Sequence, residues 1–463
     1  MGRLSSLLSL AAAAAAYGLL PNSAHASPVT SQLSQDVIQP IQTASVSTNS
    51  PNNTTWSWTS GPKMHGVALG NWLILERWMN EDWFVKTSGN ISAIDEWTFS
   101  ESLGNATAAV LQEHWSTWIT DDDIRIIAES GFNHIRIPLP YWAFINEPAG
   151  TPYVSMGGQV DQLTRVLASA SNYGLYVIMD LHALPGSQNG EQETGHRGYN
   201  NFYEPANQNY SDATVDAVLS YITASPYRHV MTALAACNEP VYYDEADFET
   251  LVAYYERTYA KVIALDPPLP MMFHPGRPQT NPMSLFQGFI NGKSPELLIY
   301  EDHPYPGRLQ PLTPQSTLLD SVCQKARSYA EYSVPVAVTE WAVSTAIWNN
   351  TEWDATFWSA QARAWAQSAG GIFWSYKTIA YTQQYNQTEN FTLYSFIDLR
   401  NDSIIPMPSA DQSSQEYLFS LNDTCGFGDT SDSYAPIVSL VMPTVTAAFT
   451  KRSIPEALAT PAP

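Results

Sequence analysis

Eight short apolar runs, separated by helix-patterned stretches, constrain the fold of this chain more than any other feature. They cover residues 67–69, 133–137, 174–182, 230–239, 271–274, 297–300, 334–340 and 371–374. The longer ones are continuously apolar and end on polar or aromatic residues. An apolar run without alternation is buried on both faces, which is the pattern of a parallel sheet covered by helices. Helical patterns lie between most pairs, for example 121–130 (closed by Gly131), 248–265 and 357–368. Eight such units predict a (β/α)8 TIM barrel. No short fixed period repeats along the chain.

The flanks read differently. Arg3, the Ala-rich apolar stretch 4–20 and Ala24-His25-Ala26 have the form of a secretory signal peptide over 1–26. The apolar stretch is too short and too Ala-rich for a membrane span. Residues 27–60 are rich in Ser, Thr, Asn and Pro and read as a disordered arm. A single catalytic domain is expected over 61–427, and a flexible tail over 428–463. The tail's apolar patch, 437–449, is interrupted by Pro443 and is too short to span or to signal a lipid anchor. Ten Asn-x-Ser/Thr sequons begin at Asn52, Asn53, Asn90, Asn105, Asn209, Asn349, Asn386, Asn390, Asn401 and Asn422. Together they predict a secreted, glycosylated protein of the extracellular space or cell wall, with no membrane association after signal cleavage.

Export permits a disulfide, and the chain has three cysteines. Cys237 lies inside an apolar run and is expected buried and free. That leaves Cys323–Cys425 as the bridge. Three widely spaced cysteines do not make a structural zinc site. The formal charge of −23 provides no basic face for phosphate backbones, so nucleic acid is not a partner. The acidity is the solvated surface of a soluble protein, and a monomer is expected.

Chemistry is expected where the strands end. In a barrel all C-terminal strand ends open onto one face. Arg136, His182, Asn238-Glu239, His303 with Tyr305, Glu340 and Trp374 fall at such ends. Two carboxylates on strands four and seven suit glycoside cleavage. One must be protonated to help the leaving oxygen depart, and the other must be ionised to attack the anomeric carbon. His303 and Tyr305 are placed to hydrogen-bond Glu340, with Arg136 supplying positive charge nearby. Asn238 is placed to hold the sugar 2-hydroxyl, and Trp374 offers a flat face for a ring. Other chemistries find no support. The histidines lack metal-ligand spacing, Gly157-Gly158 and Gly370-Gly371 are not phosphate loops, and no Gly-x-Ser-x-Gly elbow is present. No cofactor is expected.

The ordered set of motifs resembles glycoside hydrolase family 5, within it the fungal exo-β-1,3-glucanase group, over roughly residues 61–425. It comprises Gly66-Val67-Ala68-Leu69-Gly70-Asn71-Trp72, His114-Trp115 with Trp118, Asn133-His134-Ile135-Arg136, residues 180–190 ending in Gly186-Ser187-Gln188-Asn189-Gly190, Asn238-Glu239-Pro240, His303-Pro304-Tyr305, Thr339-Glu340-Trp341 and Phe373-Trp374-Ser375. The resemblance implies Glu239 as acid/base, Glu340 as nucleophile, and Glu76 as the carboxylate gripping the terminal non-reducing sugar. Two positions depart from the group. Glu191 and Arg308 stand where it has an aromatic clamp for the leaving sugar, and are expected to form an ion pair at the pocket mouth. Ile379 stands where the group often has Glu. The leading expectation is a retaining exo-β-1,3-glucanase that releases glucose from wall-type glucan. A β-1,6-glucanase or a β-glucosidase for small glycosides is the near alternative, favoured by the altered clamp. A non-catalytic glucan-binding wall protein is the alternative of a different class.

Overall fold

The computed structural model describes residues 56–147, 150–276, 282–307, 313–347, 350–379 and 391–428. Eight parallel strands close on themselves. They are β1 (Met64–Ala68), β2 (His134–Pro140), β3 (Tyr176–Ala183), β4 (Met231–Ala235), β5 (Met271–Phe273), β6 (Leu298–Asp302), β7 (Val336–Trp341) and β8 (Gly370–Phe373). Each pairs with its sequence neighbour, and β8 returns to β1 through Met64↔Gly370 and Val67↔Phe373. The expected (β/α)8 barrel is therefore the observed fold. Every strand residue except Tyr176 and Asp302 is buried, which is why the runs show no alternation. Closure needs close approach at one point in particular. A Cβ on Gly370, at φ +111°, would lie 2.0 Å from the Met64 carbonyl oxygen.

Among the helices described between strands are α1 (Asp121–Glu129), α2 (Gln159–Tyr173), α3 (Pro205–Ala224), α4 (Glu245–Ile263), α5 (Pro282–Ile290), α6 (Gln315–Ser328) and α7 (Thr351–Trp365), and α8 (Ser414–Ser420) follows β8. Local chemistry sets their ends. Thr120 and Asp123 form a capping box at α1, and Ser413 and Glu416 form one at α8. The expected helices 248–265 and 357–368 are α4 and α7, each beginning earlier than its apolar periodicity. Asp244 and Asn350 cap them, and charged first turns conceal the starts.

One strand is shorter than expected. The apolar run 230–239 suggests a strand reaching Glu239, but β4 stops at Ala235. Glu239 sits at φ +44°, a left-handed conformation that an extended strand excludes.

Of the expected arm 27–60, Trp56–Ser60 are described, and they pack on the barrel's N-terminal end. Trp56 lies against His134 and Tyr176, and Trp58 Nε1 donates to the Thr232 carbonyl. The remainder of the arm, the expected signal peptide and the tail from 429 lie outside the described residues. Cys323 and Cys425 form the expected disulfide, and Cys237 is buried and free.

Candidate active site

The loop after β3 orders the strand ends. Gln188 Nε2 donates to the carbonyls of His182 and Asn238, while its Oε1 accepts Leu184 N–H. One buried amide thus ties the end of β3 to the segment that presents Glu239. The β1 loop is held from the other side. Asn71 Oδ1 accepts Glu76 N–H, Glu96 Oε2 accepts Leu75 N–H, and Trp118 Nε1 donates to the Gly70 carbonyl.

These loops surround a cavity of about 280 Å³ at the C-terminal mouth. Glu76, His182, Glu191, Asn238, Glu239, Tyr305, Glu340 and Trp374 line it, all singled out from sequence. Arg136 and His303 stand directly behind them. Arg308 lies outside the described residues. The described cationic neighbour of Glu191 is Arg197, at 3.9 Å with both side chains substantially exposed. Ile379 is 51% exposed, and its N–H donates to the Met79 carbonyl.

Arg136, fully buried, anchors the charge pattern. Nη1 donates to Glu340 Oε1 at 2.7 Å, and Nη2 to Asn238 Oδ1 at 2.9 Å and Glu301 Oε1 at 3.3 Å. Asp180 Oδ2 lies 3.1 Å from the same Nη2. Burial works against the guanidinium charge, but Asp180, Glu340 and Glu301 outweigh it and raise its pKa. His182 Nδ1 contacts Asp180 Oδ2 at 2.7 Å. There too burial opposes the charge while Asp180 raises the pKa. The Trp374 ring lies parallel to His182, with centroids 5.6 Å apart.

The expected partner of His303 needs correction. Its Nδ1 lies 2.8 Å from Glu239 Oε1 and 3.6 Å from Glu340 Oε2, so Glu239 and not Glu340 takes the hydrogen bond. Position along the loop after β6, set by the curvature of the barrel mouth, is the reason. His303 follows the end of β6 and faces β4 across the mouth, while Tyr305, two residues on, reaches Glu340 Oε2 at 2.8 Å. Both oxygens of Glu340 are thereby engaged as acceptors, by Arg136 and by Tyr305. One imidazole nitrogen lies within 3.6 Å of both carboxylates.

The His303 hydrogen bonds fix its tautomer. Thr339 Oγ1 donates to Glu301 Oε1, so it must accept from His303 Nε2–H. With Nε2 protonated, the Nδ1–Oε1 contact to Glu239 requires a proton of its own.

Glu76 is 4% exposed. Its Oε2 accepts Trp78 Nε1–H, and its Oε1 has no hydrogen-bond partner among the described residues. Burial raises its pKa to about 8, helped by Glu193 and Glu340 and opposed by His182 and Trp78.

Glu239, His274 and His303 bring potential metal-ligand atoms within 4.8 Å of one another. Hydrogen bonds already occupy both histidines. His274 Nδ1 accepts Gly276 N–H, and His303 is bonded through both nitrogens. Burial lowers the His274 pKa to about 3, keeping it neutral with its proton on Nε2. This is a hydrogen-bonded set, and we assign no metal to it.

Several residues in and beneath the pocket were given no role by the sequence reading, although Asp180 stands in the matching segment that runs to Gly190. Asp180 and Glu301 hold the cations beneath the site. Each lies two residues before a selected histidine, and the period of two in a strand was the signal that could have found them. Trp78, Phe391 and Tyr394 form an aromatic wall on the β1 and β8 loops. Trp78 lies 5.5 Å from Phe391 and 5.3 Å from Tyr394. No strand end or periodicity marks them.

Residues 99–378 match the family model described as Cellulase (glycosyl hydrolase family 5). The chain is 35% identical over 289 residues to "Probable glucan 1,3-beta-glucosidase A" of Emericella nidulans, covering 61% of this chain and 68% of the relative. It is 30% identical over 358 residues to the protein of the same name from Aspergillus niger, covering 68% and 83%. Among solved structures, the rutinosidase from Aspergillus niger superposes with a TM-score of 0.68 at 25% identity, over 76% of this chain and 99% of that one.

Proposed function

Because this chain belongs to the cellulase family, glycosyl hydrolase family 5, it is a glycoside hydrolase, and we propose that it is an exported, retaining exo-β-1,3-glucanase. In this reading Glu340 attacks the anomeric carbon while Glu239 gives its proton to the departing glycosidic oxygen. A covalent glycosyl-enzyme forms. Glu239 then takes a proton from water, which attacks and releases glucose with its configuration retained. The observation that carries the proposal is the single nitrogen of His303 within 3.6 Å of both carboxylates. The facing oxygens of the two carboxyl groups are therefore closer together than the ~6.5–9.5 Å gap of inverting enzymes, which supports retention.

The neighbours divide the labour. The chain Glu301, Thr339, His303 leaves one proton on the His303–Glu239 contact, where the leaving oxygen needs it. Arg136 and Tyr305 aim the attacking carboxylate. Asn238, its Oδ1 fixed by Arg136, presents its amide N–H to the sugar 2-hydroxyl. Trp374 supports the ring. Glu76, with a buried oxygen in the pocket wall that has no hydrogen-bond partner among the described residues, reads the terminal sugar and supports exo action. Relatives named glucan 1,3-beta-glucosidase support a β-1,3-glucan substrate.

Export is supported by the Cys323–Cys425 disulfide and by the exposure of sequon residues Asn105, Asn209, Asn401 and Asn422. No described helix is long and apolar enough to cross a membrane. Product analysis on laminarin and pustulan, beside an aryl β-glucoside, tests the reading. Glucose from laminarin, abolished in Glu340→Gln, is expected. Binding of glucan with no hydrolysis by the wild type would refute it.

A second reading, a glycosidase for small glycosides, has one observation in its favour. Glu191, Gln192 and Glu193 form a polar rim where the exo-β-1,3-glucanase group carries an aromatic clamp. The likeness to a rutinosidase points the same way. Fast turnover of aryl glycosides with laminarin untouched would favour it.

A further inference from the structure

Beyond the pocket, the loop after β3 carries a column of aromatic rings that the mechanism does not use. The loop closes on itself through Gly198 N–H to the Gly190 carbonyl at 2.8 Å. At one end Glu191 lines the pocket. At the other, His196 stacks on Trp97 at 4.3 Å and 7°, and Tyr199 stacks on His196 at 5.1 Å and 15°. Trp97 meets Tyr153 edge-on at 5.3 Å, and Tyr153 stacks on the buried Trp142 at 3.9 Å. Tyr199 is thus the outermost ring of a column rooted in the core. It is 47% exposed although its inner face is covered by His196.

A single exposed aromatic needs no explanation. A ring backed by two parallel neighbours, on the same loop as the pocket wall, is a different matter. It is flat, and little of its freedom remains to be lost on binding. Arg197, next to His196 in the chain, lies 3.9 Å from Glu191 and links the column to the rim. The position has a direction as well. Just beyond Tyr199, Asn200 Nδ2 and the Tyr203 hydroxyl donate to the Val241 carbonyl, two residues past Glu239, so this part of the loop borders the acid/base side, where the leaving group departs. For an enzyme working from a chain end, that is where the rest of the polymer must lie.

We propose that Tyr199, backed by His196 and Trp97, is a stacking platform for a distal glucose unit of a β-glucan chain whose end occupies the pocket. The assignment rests on the β-glucan reading above. It makes Tyr199 a polymer-specific binding residue that takes no part in bond cleavage. Glu191 stands where the group's clamp begins, and the column supplies aromatic contact further out.

The test compares Tyr199→Ala and Tyr199→Phe with wild type in three assays: KM on soluble laminarin, kcat/KM on an aryl β-glucoside, and retention on insoluble β-1,3-glucan. Retention is measured in the Glu340→Gln background so that the matrix persists. Tyr199→Ala should raise the laminarin KM and weaken retention by roughly 2- to 10-fold, the size of one ring-stacking contact. Its aryl glucoside kinetics should be unchanged, and Tyr199→Phe should behave as wild type. Unaltered retention and KM in Tyr199→Ala would overturn the proposal. So would an equal loss on both substrates, or a loss in Tyr199→Phe as large as in Tyr199→Ala. Failure of the β-glucan reading is separately visible, as wild-type enzyme that leaves laminarin unhydrolysed whether or not it turns over the aryl glucoside.

Discussion

Replacing Glu76 by Gln should flatten the dependence of stability on pH. The Glu76 carboxyl is buried in the pocket wall, and its pKa is raised from 4.5 to about 8, first by burial. Between those values the folded chain binds a proton that the unfolded chain has released. Stability due to Glu76 is therefore greatest below about pH 4.5 and is lost as pH rises towards 8. The slope is ~1.4 kcal/mol per pH unit, so this one group removes on the order of 3–4 kcal/mol between pH 5 and pH 8. Gln has the same shape and no proton to lose. The assay is urea unfolding of both proteins at pH 5, 6, 7 and 8. The wild-type advantage over Glu76→Gln should shrink steadily with pH. Glu96, buried and also raised to about 8, titrates in both proteins and cancels from the difference. Parallel curves across the four pH values would refute the reasoning and show Glu76 ionised throughout.

Arg136→Met should cost about 3–5 kcal/mol, read as a fall in thermal unfolding temperature, because it strands buried Asp180, Glu301 and Glu340 without their shared cation. Reducing Cys323–Cys425 should cost on the order of 4–5 kcal/mol, since the bridge closes a separation of 102 residues; urea unfolding with and without reductant measures it. Glu239→Ala should lose ~10²–10⁴-fold in rate on substrates with poor leaving groups. Added azide should restore turnover of an activated aryl glycoside as a β-glycosyl azide, identified by NMR.

The strand ends were legible in the sequence because burial on both faces makes each strand a continuous apolar word with a polar final letter. His182 and Glu340 could be picked out for that reason, whereas Arg136, expected at the end of its strand, lies inside β2, which continues four residues further to Pro140 because the Pro138-Leu139-Pro140 segment still pairs with β3. Glu239 was found from the same run, although its strand stops four residues earlier and a left-handed turn presents it. Asp180 and Glu301 were passed over because they lie within the strands, where a charged residue reads as an interruption. Their period-two spacing from His182 and His303 gives them away only once a partner cation is known. Which carboxylate His303 serves depends on the curvature of the barrel mouth, and spacing cannot carry that. Trp78, Phe391, Tyr394 and the Tyr199 column sit on loops, where side chains are placed by tertiary contact and local pattern is silent.

The most direct test is peptide mapping after incubation with an activated 2-deoxy-2-fluoro-β-glucoside, which slows release of a glycosyl-enzyme. The account predicts one added fluoroglucosyl group, on the peptide that carries Glu340, and none in Glu340→Gln. An adduct on another residue, or turnover with inverted product and no adduct, would contradict it.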